Sequence, residues 1–265
     1  MAVTPVDLSV TNITATSVRM GWVAVDALQA LINSLFGAGE QGAIYIPMPI
    51  VLGTQALFQD SAGTVPVTAD GDPIGLMQDK SGNNNHASQA VSSERMLHKE
   101  TNSLLQDQVD DNVTITGLNL TPASGFKTWT LCVSYSELGS ERIILLGDNS
   151  KLSKWVGIGD NGNASGNIAG SSITQDIIWF DGVLSTPGTR SEMWALMVSS
   201  SVIVIEFTVE SGSANWDKPV FGKGRNSGFY GPRISEFLLL HEGALTESER
   251  KNVESYAAGQ AGTIL

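Results

Sequence analysis

Residues Leu57 to Ala87 read LFQDSAGTVPVTADGDPIGLMQDKSGNNNHA, and neither a continuous helix nor a long strand can be built from them. Pro66 and Pro73, with Gly63, Gly71, Gly75 and Gly82, break the stretch into turns. Asp60, Asp70, Asp72, Asp79 and the run Asn83, Asn84, Asn85 supply short polar side chains that cap backbone N–H groups and fold loops back on themselves. Leu57, Phe58, Val65, Val67, Ile74, Leu76 and Met77 need apolar surroundings, which a solvated linker does not offer. The stretch therefore predicts a structured lead-in to a folded domain.

Downstream, short apolar runs alternate with Gly, Asn and Ser turns: Val113–Ile115, Trp129–Tyr135, Arg142–Leu146, Lys154–Ile158, Ile177–Phe180, Met193–Val198, Val202–Val209 and Ile234–His241. Such a series predicts an all-β, antiparallel sandwich or jelly roll. Within WTLCVSY, Trp129, Leu131, Val133 and Tyr135 share one strand face and Cys132 falls on the other. Leu238, Leu239 and Leu240 place apolar groups on both faces, so that strand is expected to be covered on both sides. A helix is predicted from Thr246, where Thr246 and Glu249 make a capping box, with Val253, Tyr256 and Ala257 buried, Gly259 as its stop and a sheet edge or end beneath it.

Upstream, Asp7–Ile13 and Ser17–Val23 read as a hairpin. Asp26 is a candidate N-cap for a helix that carries Leu28, Leu31, Ile32, Leu35 and Phe36 on one stripe and ends at Gly37 and Gly39. That stripe either docks on the neighbouring domain or meets another subunit, and it is assigned here to attachment or oligomer contacts. Ile44–Leu52, interrupted by Pro47 and Pro49, reads as an extended arm or edge. The expected division is therefore an N-terminal attachment segment, 1–54, and a sandwich domain, 55–265.

The 265 residues are 42% hydrophobic and 16% charged, with a formal net charge of −12. Enough apolar material is present for a large core, while an acidic chain without a Lys/Arg cluster is a poor match for nucleic acid. Cys132 stands alone, so no intrachain disulfide can form, and a buried small hydrophobe is its expected role. No apolar run approaches the ~20 residues that span a bilayer, and neither membrane insertion nor an export signal is expected.

The pieces LFQD, AGT.PV, DGDPIGLM and DKSGN.NHA resemble the opening segment of concanavalin-A-like, laminin-G-like jelly-roll domains in phage and prophage virion proteins. Two more patches are similar to that family. Leu104–Ile115 (LLQDQVDDNVTI) resembles its F-D-G-x-D-D motif, with Gln108 where the family usually has Gly, and Arg233–Ala258 resembles its closing strand and short helix. A separate fragment, TPVDLSVTNITATSVRMGW, resembles only the first two strands of a fibronectin type III domain. The jelly-roll resemblance implies a non-enzymatic virion component, such as a tail-fibre, baseplate, collar or head-decoration subunit, assembled in the bacterial host cytoplasm. Its implied partners are other virion proteins and copies of itself, a trimer being one allowed form. A carbohydrate-binding adhesin is the alternative, and a glycan depolymerase a more distant one.

Glycoside hydrolases of this architecture need two carboxylates about 5 to 9 Å apart. Glu206 and Glu210 lie four residues apart on one strand, about 13 Å, which does not suit one catalytic pair. His86, His98 and His241 show no metal or triad spacing, and His86 is expected to make structural hydrogen bonds. No cofactor is required, although relatives of the family sometimes hold calcium. Asp148, Asp160 and Asn161 are the candidate ligands here, with Asp110 and Asp111 as a further oxygen-rich pair that could equally be turn-forming. For glycan stacking the candidates are Trp155, Trp179, Trp216 and Tyr230, each beside polar loop residues, although the core is the commoner home of a sandwich tryptophan.

Overall fold

The computed structural model describes residues 27–149, 153–162, 166–170, 173–212, 215–223 and 230–265. In chain order a helix over 27–36 (α1) precedes strands Gly42–Tyr45 (β1), Ile50–Val51 (β2), Thr54–Gln55 (β3), Leu57–Phe58 (β4), Leu76–Met77 (β5) and Ala87–Ser88 (β6). Next come Leu97–Lys99 (β7), Ser103–Leu105 (β8), Val113–Ile115 (β9), Phe126–Glu137 (β10), Arg142–Asp148 (β11), Trp155–Asp160 (β12), Ile173–Phe180 (β13) and Val183–Ser185 (β14). Helix Arg190–Val198 (α2), strands Val202–Glu210 (β15), Pro219–Phe221 (β16) and Ile234–Glu242 (β17), and helix Glu247–Gln260 (α3) follow.

The fold is an antiparallel β-sandwich. One sheet runs β14-β13-β15-β10-β17-β8-β7, with β1 also paired to β17, and the other runs β12-β11-β16-β9-β6-β5-β4. Side-chain alternation sorts the core as the sequence predicts. Leu131, Val133, Tyr135, Ile203, Ile205, Leu238 and Leu240 point between the sheets to meet Ile143, Leu145, Val156, Val113 and Met77. Their strand neighbours Cys132, Val202, Val204, Phe237 and Leu239 point the other way, into a second apolar layer.

Helices α1 and α3 cover that outer layer, α1 through Leu28, Leu31, Ile32, Leu35 and Phe36 and α3 through Val253, Ala257 and Ala258. This corrects the attachment assignment of the α1 stripe. All five of its side chains are at most 9% exposed inside the chain's own core, and removing each from water stabilises that packing by roughly 1.5–3 kcal/mol. His241 locks the end of α1, its Nε2 donating to the Leu35 carbonyl at 2.7 Å while its ring meets Phe36 edge-on. Ile44–Leu52 is likewise no free arm, since β1 pairs residue by residue with Leu238–His241 and Ile44, Tyr45 and Ile46 are buried. The expected boundary at 54/55 thus falls within the sandwich, whereas the expected hairpin of residues 7–23 and the Asp26 cap lie outside the described residues.

Two further readings change. Met193–Val198 is helical, not a strand: Thr189 and Glu192 form a reciprocal capping box, and Met193 and Met197, one turn apart, face the core. Gly159 lets this helix lie directly on β12, because a Cβ there would sit 2.7 Å from Met197 Sδ. Helix α3 starts at the expected Thr246–Glu249 box but continues through Gly259 to Gln260, and it covers a sheet face, not an edge.

The 57–87 lead-in is folded by its aspartates. Asp60 accepts from the Thr64 and Val65 amides at 2.9 Å, and Asp72 from those of Thr68 and Ala69 at 2.8 and 2.9 Å. Asp79 gathers the amides of Ile44, Ser81 and Asn85 at 2.8–3.0 Å, and His86 Nδ1 accepts from the Asp79 amide at 3.1 Å. One carboxylate thereby joins β1 to the lead-in.

Candidate functional site: an acidic loop between β8 and β9

The loop Gln106–Asn112 carries the sequence QDQVDDN. It is tied down at both ends, by the Gln106 amide donating to the Arg233 carbonyl at 2.9 Å and the Asn112 amide donating to the Glu94 carbonyl at 3.0 Å. Gln108 turns the chain with φ 64°, the left-handed conformation that a Gly adopts without strain, and its Nε2 donates to the Gly231 carbonyl at 2.9 Å. Asp107 Oδ1 then accepts from the Val109 amide at 2.8 Å, and Asp111 Oδ2 from the Asp107 amide at 2.8 Å.

The tight turn brings Asp107, Asp110 and Asp111 together, one carboxylate oxygen of each lying within 4.8 Å of the others. Asp107 is exposed, Asp110 half-buried and Asp111 buried, so the cluster opens to solvent on one side. Burial pushes the Asp111 carboxyl up to about 6, and the neighbouring charges of Asp107, Asp110 and Glu94 push the same way against the Asp107 N–H. Among the described residues no basic side chain pairs with the three. Lys223, the cation nearby, is held 3.6 Å from Glu94. Such a cluster offers only hard oxygen donors, the chemistry of a calcium-type ion.

The structure separates the calcium candidates chosen by loop composition. Asp148 lies at one end of the β11–β12 hairpin and Asp160 at the other, opposite Arg142, which sets them about 20 Å apart. Each has a structural role: Asp148 accepts from the Lys218 amide at 3.2 Å, and Asp160 accepts from the Gly162 amide at 3.1 Å and faces Arg142 at 3.7 Å. Asn161 donates its side-chain amide to Glu141 at 3.4 Å. Asp110 and Asp111 were visible as an oxygen-rich pair, but Asp107 was not, because only the left-handed turn at Gln108 closes the cluster.

The aromatic candidates do not form one surface. Trp216 is fully buried between the sheets, its Nε1 donating to the Gly147 carbonyl at 3.1 Å and its ring 5.9 Å from Phe207, so it cannot stack on a sugar. Trp155 is 9% exposed and packs with Ile144 and Ile158 on the outer face of the second sheet. Trp179 lies on the opposite side of the molecule, in the layer under the helices, with the Arg250 guanidinium 4.7 Å from its ring. Tyr230 is half-buried, its carbonyl accepting from the Ile144 amide at 2.8 Å. Glu206 is buried, accepting from the Leu245 amide at 3.3 Å, while Glu210 is exposed at the strand end. Comparison of the chain with protein-family models, with curated proteins and with solved structures gave no match.

Proposed function

We propose that this chain is a non-enzymatic structural protein of a bacteriophage virion, a tail-fibre, baseplate, collar or head-decoration subunit that displays a jelly-roll sandwich. One observation carries the reading. The three patches that resemble the virion jelly-roll family, the third of them far along the chain from the first two, are direct hydrogen-bonding neighbours in space. The lead-in strand β6 pairs with β9 through Ala87 and Ile115, and β8 pairs with β17 through Leu105 and Ile234. The resemblance thus follows one connected part of the sandwich, as a shared fold requires and scattered coincidences do not.

In this reading the partners are other virion proteins and further copies of the chain, assembled in the bacterial cytoplasm. Since residues 27–54 are built into the sandwich, attachment falls to residues 1–26. The test is immunogold electron microscopy of phage particles from the bacterium that produces the chain, using an antibody to the sandwich. Gold at one repeated position on the particles, lost when residues 1–26 are deleted while the chain still folds, is the expected outcome. Particles that never carry the label would overturn the proposal.

A further inference from the structure

We propose that strand β14 is a receiving edge for residues 17–23 of a neighbouring copy of this chain, which add to the first sheet as a further strand and link copies head to tail. The other edges of the sandwich are closed by the chain's own loops. On β7 the Gly71 amide donates to the His98 carbonyl at 2.8 Å and the His98 amide to the Asp72 carbonyl at 2.9 Å. On β4 the Val67 amide donates to the Leu57 carbonyl at 3.0 Å, on β12 the Gly170 amide to the Trp155 carbonyl at 2.9 Å, and on β1 the Lys80 amide to the Ile44 carbonyl at 2.9 Å. Edges that stay open are normally blunted by charge or proline, since they pair readily with other chains.

Strand β14 ends the first sheet and has neither protection in its sequence, Val-Leu-Ser. Val183 is 65% exposed and Leu184 60%. The two-residue turn Asp181–Gly182, with φ 47° and 79°, joins it to β13, so that Phe180 faces Val183 and Trp179 faces Leu184. In such a hairpin the closing pair exchanges the ladder hydrogen bonds and the next pair does not, which turns the amide and carbonyl of Leu184 away from β13. Among the described residues these two groups have no partner. The edge thus offers a main-chain donor and acceptor with apolar neighbours on both faces, Leu184 continuing the row of Trp179 and Val183 that of Phe180. A strand that pairs there gains hydrogen bonds and apolar burial together.

The chain itself carries a strand in need of a sheet. Residues 7–13 and 17–23 read as a hairpin in the sequence, and a two-stranded hairpin is marginal in water unless it joins a larger sheet. In the second strand Val18, Met20 and Trp22 share one face, which suits the Trp179–Leu184 side, while Gly21 and Val23 fall on the other. That strand does not reach the β14 of its own chain. Helix α1 is fixed to β17 through Leu35 and His241, and β14 lies four strands from β17, about 19 Å away. From Val23 to residue 27 the extended chain spans at most about 14 Å, and α3 occupies the layer over β10 and β15 in between. A neighbour's edge carries no such limit. Donor and receiver are different surfaces, so each copy gives one strand and takes one, in a closed ring or an open row.

This places the copy-to-copy contact of the reading above, yet its test runs on purified protein in solution, so either can fail while the other stands. The experiment is sedimentation velocity on the full chain over a range of concentrations. The parent is expected to form species larger than one chain. Leu184→Pro removes only the outward amide, so it is expected to keep the far-ultraviolet dichroism and to weaken association about tenfold or more. Met20→Pro, which disrupts the donor strand, is expected to do the same. Neither variant alone has both halves of the contact, whereas their equimolar mixture keeps one donor and one edge and should yield a species of twice the chain mass. Should Leu184→Pro fail to fold, Leu184→Lys takes its place, a charge at the edge blocking the same approach. A parent that stays monomeric overturns the proposal, including one whose Leu184 amide resists hydrogen exchange because its own chain covers β14. Undiminished assembly of the edge variant, or a mixture that stays monomeric, overturns it equally.

Discussion

Glu236 is a carboxyl without a charged partner, 4% exposed on β17, with the Ser136 hydroxyl donating to one of its oxygens and the other oxygen buried unpaired. Burial pushes it up from 4.5 to about 7, against the pull of the Ser136 hydrogen bond. The folded chain therefore keeps a proton that the unfolded chain releases. The stability tied to that proton is complete below about pH 4.5 and is lost as pH rises through about 7. Glu236→Gln should remove this dependence. Melting both proteins at pH 5 and pH 8 should show the parent losing about 2–3 kcal/mol more than the variant, and equal losses would refute the assignment. Nothing in the sequence marks Glu236 as different from Glu206. It sits at the register irregularity where β10 meets β17, passed over between the pairs Ser134–Phe237 and Tyr135–Ser235, a feature that depends on two strands far apart in sequence. Trp216 was unreadable for a similar reason, since its hydrogen-bond acceptor Gly147 lies 69 residues away.

At the scale of elements, local pattern was a good guide where a clear two-residue alternation or a recognised capping box marks the element and a poor one for a short apolar run with neither read. The alternation of Trp129–Tyr135 and the capping box at Thr246 gave β10 and α3 directly. Met193–Val198 is a short apolar run without decisive period, and the readable signal was the Thr189–Glu192 capping box just before it. Helix α1 was legible as a helix, but what covers it was not, because its partners Val202, Phe237 and Leu239 come from strands late in the chain. Leu35, 1% exposed at the centre of that contact, sets a test: Leu35→Ala should cost about 2–5 kcal/mol in urea unfolding, and a loss within ~0.5 kcal/mol would show that α1 does not pack there.

For the whole molecule the consequence is one cooperative body from residue 27 to the end of α3. Deleting residues 1–52 removes α1 and β1, which bares Val204, Phe237 and Leu239 and leaves the Leu238–His241 edge of β17 unpaired. The truncated chain should aggregate or bind a hydrophobic dye. Recovery of a monomer that melts like the parent would contradict this. Fold class was legible because a sandwich repeats the same two-residue alternation strand after strand. The acidic loop was half legible, because Asp110 and Asp111 are neighbours in sequence whereas the approach of Asp107 depends on one backbone angle at Gln108.

Helices α1 and α3 share the outer face of the first sheet. The earliest and latest described stretches of the chain therefore leave the molecule from the same side. A copy anchored through either one turns the same way, with the outer surface of the second sheet pointing from its support. Probes placed at residue 27 and at the end of α3 should accordingly report on the same face of the sandwich.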